Sequence, residues 1–219
     1  MAERFNLKNP SDVEFNDAVE AALRYLRAGE VIVAAAEHGY VYLANAFDKE
    51  AVTAIHILRG NPGGVALQVF IAESKVALGI TPTLTIQQQE ILDKFWPGLL
   101  SVTVRAQPGL TWNLGDERRL GKVNIRVPNR KFINAILQQS GPLAISSAAL
   151  IGSETILDLA NLPVYESDIS AVFNEGALNK GELSTWLEFS EKEITLKRIG
   201  AIGIEQLLPL IPTISTPNL

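Results

Sequence analysis

Arg126 sits inside an apolar run, Val123-Asn124-Ile125-Arg126-Val127, and is the residue in this chain whose placement most needs a chemical reason. A guanidinium in a buried strand requires an anionic partner, from the protein or from a ligand, because an unpaired buried charge is costly. It belongs to a wider cluster: Arg118, Arg119, Lys122, Arg126, Arg130 and Lys131 all fall between positions 118 and 131 of an otherwise acidic chain. Clustered guanidinium groups suit phosphate or carboxylate through bidentate hydrogen bonds. Arg118, Arg119 and Lys131 also read as a solvated loop and helix start.

The remaining chemistry-bearing residues narrow the field mainly by what they exclude. Gly60-Asn61-Pro62-Gly63-Gly64 is glycine-rich, but no Gly-Lys-Ser/Thr follows, so it is not a Walker-type phosphate loop. No Gly-x-Ser-x-Gly elbow surrounds Ser146 or Ser147, and no His-Glu-x-x-His occurs. Glu37 beside His38 offers an acid/base pair; against it, neighbours along a strand point to opposite faces. With no cysteine, disulfides, thiolate catalysis and cysteine-ligated metals are excluded. His38 and His56 are the two imidazoles.

These residues must be positioned by alternating helices and strands. Phe15, Ala18, Val19, Ala22, Leu23 and Leu26 share one helical face, with Ser11 and Glu14 as a capping box and Gly29 as the stop. Val31 to Ala36 reads as a buried strand, 48 to 58 as a second helix and Ala66 to Ile71 as another buried strand. Thr85 and Gln88 cap a helix that ends at Phe95, since Pro97 and Gly98 forbid its continuation. Strands follow near 100–105 and 123–127, then a helix capped by Asn129, a strand at 143–146, and strands around Val172, 183–189 and 194–197. The stretch 106–122, with Pro108, Gly109, Gly115 and Gly121, is expected to be a mobile loop.

The alternation predicts an α/β fold with a twisted mixed sheet and flanking helices. Residues 1–10 read as an N-terminal extension, 11–208 as one domain and 209–219 as a tail, apolar but broken by Pro209 and Pro212, that packs or self-associates. The 219 residues, 47% hydrophobic and 20% charged with a net charge of −5, describe a globular chain with no overall pull towards nucleic acid or anionic membrane. The N-terminus lacks the apolar core of a secretory signal and no segment approaches the roughly 18 apolar residues of a membrane span, so a cytoplasmic protein is the default expectation.

Five segments in a fixed order carry a resemblance: Trp96-Pro97-Gly98, Arg126-Val127-Pro128, Gly141-Pro142-Leu143-Ala144 running into Ser146-Ser147-Ala148, Ser184-Thr185-Trp186, and Arg198-Ile199-Gly200. With the stretch from Val31 to Ile71 they resemble the Sua5/YciO/YrdC family of ATP-dependent threonylcarbamoyl-adenylate synthases over nearly the whole chain. The resemblance implies a single YrdC-like domain. It implies a nucleotidyltransferase making threonylcarbamoyl-AMP and pyrophosphate from L-threonine, bicarbonate and ATP, with Mg²⁺ accompanying the nucleotide, for threonylcarbamoylation of adenosine in tRNA. It also implies that Arg126 and Ser184 contact threonine, with His38 beside them, and that Arg59, Ser147 and Arg198 hold the nucleotide.

The same alignment locates departures. The family's "PTxTVYGL" appears as Ala35-Ala36-Glu37-His38-Gly39-Tyr40-Val41-Tyr42, without the two threonine hydroxyls. Its "KxRP…KPL" appears as Arg59-Gly60-Asn61-Pro62 and Val65-Ala66-Leu67, with one cation of three, and the asparagine of its "SAN" is Ala149. Removing a charged contact to phosphate costs roughly 1.5 to 3 kcal/mol unless it is relocated; Arg59, Arg105 and Arg118 are candidates. No general base stands out. Besides the enzyme, two alternatives follow: a nucleotide- or RNA-binding module, engaging tRNA or double-stranded RNA and other tRNA-modification proteins, and an assembly role through the apolar tail.

Overall fold

The computed structural model describes residues 2–117, 119 and 121–214. Ten strands form one mixed sheet: β1 (Glu3–Asn6), β2 (Ile32–Ala36), β3 (Gly39–Asn45), β4 (Gln68–Phe70), β5 (Leu100–Arg105), β6 (Lys122–Arg126), β7 (Leu143–Ser147), β8 (Ala171–Asn174), β9 (Thr185–Phe189) and β10 (Ile194–Arg198). Their spatial order is β1-β8-β2-β3-β7-β4-β6-β5-β9-β10. Five helices flank it: α1 (Asp12–Arg27), α2 (Lys49–Arg59), α3 (Ile86–Phe95), α4 (Lys131–Ser140) and α5 (Ile204–Leu207).

Over β8, β2, β3, β7 and β4 the sheet is buried on both faces, and strand alternation divides the side chains there between two cores. Ile32, Ala34, Leu43 and Phe173 face α1 and α4 with Phe132 and Ile136. Val33, Ala35, Tyr42, Val69, Ile125 and Leu187 face the opposite core, with Val52 and Ile55 of α2 and Ile91 and Leu92 of α3. Both expected capping boxes form. The Ser11 hydroxyl accepts from the Glu14 N–H at 3.3 Å while Glu14 Oε2 accepts from the Ser11 N–H at 2.8 Å, and Thr85 and Gln88 reciprocate at 3.2 and 3.0 Å.

Four local expectations give way to tertiary packing. Residues 3–6, within the stretch read as an N-terminal extension, form an edge strand paired in parallel with β8, held by Phe5 stacking on Phe173 at 4.8 Å. β3 has no counterpart in the sequence reading: Glu37 and His38 are the two-residue turn of a β2–β3 hairpin, with Ala36 opposite Gly39. Gly39 is required by close approach, since a Cβ there would lie 2.0 Å from Thr155 Cγ2. Asn129 does not cap α4; Arg130 occupies the cap position without a side-chain bond, and the Asn129 N–H instead donates to Glu37 Oε1 at 2.8 Å.

The stretch 106–117 is packed, with Trp112, Leu114 and Asp116 buried. Its Leu114 carbonyl accepts from the Leu67 N–H at 2.9 Å, so apolar anchors outweigh the glycines there. The tail packs through Ile211, buried at 3% exposure, and the Leu210 carbonyl accepts from Gln87 Nε2 at 2.6 Å. Residues 215–219 and Arg118 lie outside the described residues.

Candidate functional site

The β2–β3 turn, the C-terminal end of α2, the ends of β6 and β7, and the approaches to β9 and from β10 converge on one cleft of about 430 Å³. Arg126, Ser184, His38, Arg59, Ser147 and Arg198 all line it. Six residues spread over 160 positions of sequence therefore share one concave surface.

Arg126 is only 7% exposed. Its Nε donates to the Gly98 carbonyl at 2.8 Å and its guanidinium stands 5.3 Å from the centre of the Phe70 ring. The anionic partner that its strand position demands is Glu37, ion-paired to Nη2. The pair is almost dry, with side chains 8% and 12% exposed, and Glu37 Oε2 remains buried without a hydrogen-bond partner. Because Glu37 and His38 form a turn, the strand-alternation objection does not apply to them. They do not act as a pair either: Glu37 turns to Arg126, while His38 places Nδ1 3.3 Å from the Asn179 carbonyl with its ring against Gly181.

Arg59 and Arg198 differ from Arg126 in having only neutral partners. Arg59 Nη1 donates to the carbonyls of Ser147 at 3.2 Å and Ala149 at 3.0 Å. Arg198 donates through Nε and Nη2 to the Ser184 carbonyl at 3.1 and 2.9 Å, and through Nη2 to the Ser184 hydroxyl at 3.1 Å. Burial pulls both guanidinium groups below their usual pKa, yet arginine keeps its proton at neutral pH. Among the described residues no carboxylate forms an ion pair with either. Among the described residues these two positive charges, though Glu182 also lines the cleft, have no ion-paired carboxylate, an arrangement suited to an anion.

The basic cluster at 118–131 dissolves in three dimensions. Arg119 pairs with Glu117 at 2.5 Å, Lys122 with Glu188, Arg126 with Glu37, and Arg130 with Glu175 at 3.2 Å, while Lys131 lies over the Phe15 ring. Arg105 pairs with Glu191 at 3.6 Å and lines a different groove, so it does not replace a lost cleft cation. Ala149 lacks an amide side chain, and its carbonyl helps fix Arg59.

The sequence reading missed the floor of the cleft. Ser184 Oγ lies 2.9 Å from Ser101 Oγ, which accepts from Gln68 Nε2 at 2.8 Å. Further along the sheet Asn124 Nδ2 and Trp186 Nε1 donate to Thr103 Oγ1 at 3.1 and 2.8 Å. Ser101 and Thr103 alternate with Val102 and Val104 in β5, a polar face visible in sequence but indistinguishable there from a solvated one. Behind the turn, the Tyr40 hydroxyl donates to the Gly176 carbonyl at 2.7 Å and accepts from the Glu175 N–H at 3.1 Å, and burial pushes its pKa up to about 12.

Fold and cleft define an α/β protein whose cleft holds a dry arginine–carboxylate pair and two guanidinium groups bound only to neutral partners. The chain belongs to the Sua5/YciO/YrdC family, described as "Telomere recombination", whose profile matches residues 24–200. It is 26% identical over 212 residues to a putative threonylcarbamoyl-AMP synthase of Mycobacterium tuberculosis, covering 96% of each chain. It is 24% identical over 182 residues to the threonylcarbamoyl-AMP synthase of Mus musculus, covering 83% of this chain and 64% of that one. Among solved structures it superposes on Escherichia coli YciO with a TM-score of 0.79 at 22% identity, over 94% of this chain and 99% of that one. On Pyrococcus abyssi Sua5 complexed with L-threonine the TM-score is 0.85 at 20% identity, over 99% of this chain but 62% of that one.

Proposed function

We propose that this chain is a threonylcarbamoyl-AMP synthase, a nucleotidyltransferase acting on L-threonine, bicarbonate and ATP. The observation that carries the reading is the pair of uncompensated guanidinium groups, Arg59 and Arg198, on the same cleft as the Arg126–Glu37 pair. The first two are suited to polyphosphate. Arg126 meets the threonine carboxylate beside Ser184 and His38, and the unpartnered Glu37 Oε2 accepts a hydrogen bond from its amine.

The threonine nitrogen bonds to the bicarbonate carbon and water is lost, giving a carbamate. A carbamate oxygen then attacks the α-phosphorus, and the bond to the β-phosphate oxygen breaks so that pyrophosphate leaves with the electron pair. Positioning and charge neutralisation dominate such a step. Among the described residues no group of three or more His, Cys, Asp or Glu side chains is arranged to hold a metal ion. Mg²⁺ enters this reading only as the nucleotide's counter-ion, and no step is assigned to it.

Transfer of the product to adenosine in tRNA falls to partner proteins, in the cytoplasm; among the described residues no helix is long and apolar enough to cross a membrane. Pyrophosphate release that requires both threonine and bicarbonate, and drops at least tenfold in Arg198→Ala, is the expected result. One observation favours a second reading, a nucleotide- or RNA-binding module without the reaction: Glu37 already neutralises Arg126 and competes with a ligand carboxylate. ATP binding with neither threonine-dependent tightening nor pyrophosphate release would establish that reading and overturn the first.

A further inference from the structure

His56, on α2 one turn before Arg59, is held at both ring nitrogens. Nε2 lies 2.8 Å from the Leu114 carbonyl, which can only accept, so Nε2 carries a hydrogen. Nδ1 lies 3.0 Å from the side-chain amide of Asn61, a residue that lines the cleft. The ring has no room to turn. Gly115, with φ +104°, packs so close that a Cβ would stand 2.0 Å from Nε2, and the Leu114 carbonyl is also tied to the Leu67 N–H.

Proton counting then fixes the Asn61 amide. While His56 is neutral, Nδ1 is a lone pair, Asn61 must donate its NH₂ to it, and Oδ1 is left for the cleft. When His56 takes a second proton, Nδ1 becomes a donor, the amide must invert, and NH₂ is left for the cleft. We infer that His56 is a positioning residue that sets the hydrogen-bonding polarity of Asn61, so that acidification converts Asn61 from acceptor to donor and tightens anion binding beside Arg59.

The other charged and titratable groups on the elements around the ring are Lys49, Glu50 and Arg59 on α2, Tyr40 and Tyr42 on β3, and Asp116, Glu117 and Arg119 on the loop that carries Leu114. Glu117 is engaged by Arg119, and burial holds the Tyr42 phenol protonated, with its pKa pushed up to about 12.

The inference rests on the reading of Arg59 and Arg198 as an anion site, and pyrophosphate separates the two. Its affinity would be titrated from about pH 8 to about pH 5.5, the interval over which a histidine gains its proton, in the wild type and in Asn61→Leu. The ratio of the two affinities cancels the titration of pyrophosphate itself. A wild-type advantage that grows by roughly tenfold on acidification, the size of one added hydrogen bond to a charged group, is the expected result. Imidazole ¹⁵N spectra should show the Nε2–H form at high pH, with the Asn61 amide signals moving in step with His56 protonation. A constant ratio, or amide signals that ignore His56, would overturn the inference; no pyrophosphate binding at any pH would instead overturn the anion site.

Discussion

Glu37 decides how the cleft treats a carboxylate. It compensates the charge of Arg126 in surroundings where neither group is hydrated, so removing one partner exposes the full cost of burying the other. Glu37→Gln is expected to lower unfolding free energy by about 3 to 5 kcal/mol in urea titrations. L-Threonine should recover part of that loss by supplying a carboxylate to Arg126. A loss that threonine leaves untouched would remove Arg126 from the threonine site. The sequence made Arg126 conspicuous and demanded a partner for it, but not which partner, because Glu37 is remote in sequence and its neighbour His38 drew the eye as an acid/base mate. Arg59 and Arg198 were visible only through their motifs. Their freedom from carboxylates is a property of packing that no local pattern encodes.

Edge and centre of the sheet make different demands on their elements. At the β6-β5-β9-β10 end of the sheet, Lys122 and Lys197 hold the Glu188 carboxyl below its ordinary pKa, Lys122 contributing most. A depressed folded pKa means stability present above the unfolded value of 4.5 and lost as pH falls through the folded one. Glu188→Gln should therefore cost up to about 1 kcal/mol at neutral pH and nothing in acid, so the two melting curves converge below pH 4.5. At the opposite end Phe173 stacks on Phe5 and packs against Phe132 at 4.7 Å. Phe173→Ala is expected to cost about 3 to 5 kcal/mol and to fray β1 first, which hydrogen exchange at Arg4 to Asn6 would register. Helices were legible because α1 and α3 carry their own caps and apolar stripes. β1 and β3 were not, since their pairing is set by β8, β2 and β7.

Charge at the scale of the molecule is distributed against nucleic acid. Four of the six cations in the 118–131 cluster are neutralised by carboxylates, three of them remote in sequence, and the net charge is −5. Any direct affinity for tRNA should show a shallow salt dependence, equivalent to no more than about two phosphate contacts; a steep slope would reveal a basic surface formed only on binding. The fold class was readable from alternation alone, whereas the neutralisation of the cluster required the assembled sheet. The cleft is likewise a property of that assembly, because its walls come from β2, β3, β4, β6, β7 and β10, whose order in space is not their order in the chain. Its lining runs from Ala36 to Arg198, so no fragment short of that span contains it. A ligand held there binds the whole native state and nothing less, so nucleotide at 100 times its dissociation constant raises global stability by about 2.7 kcal/mol. Thermal shift therefore reports occupancy of the cleft directly, without any reaction taking place.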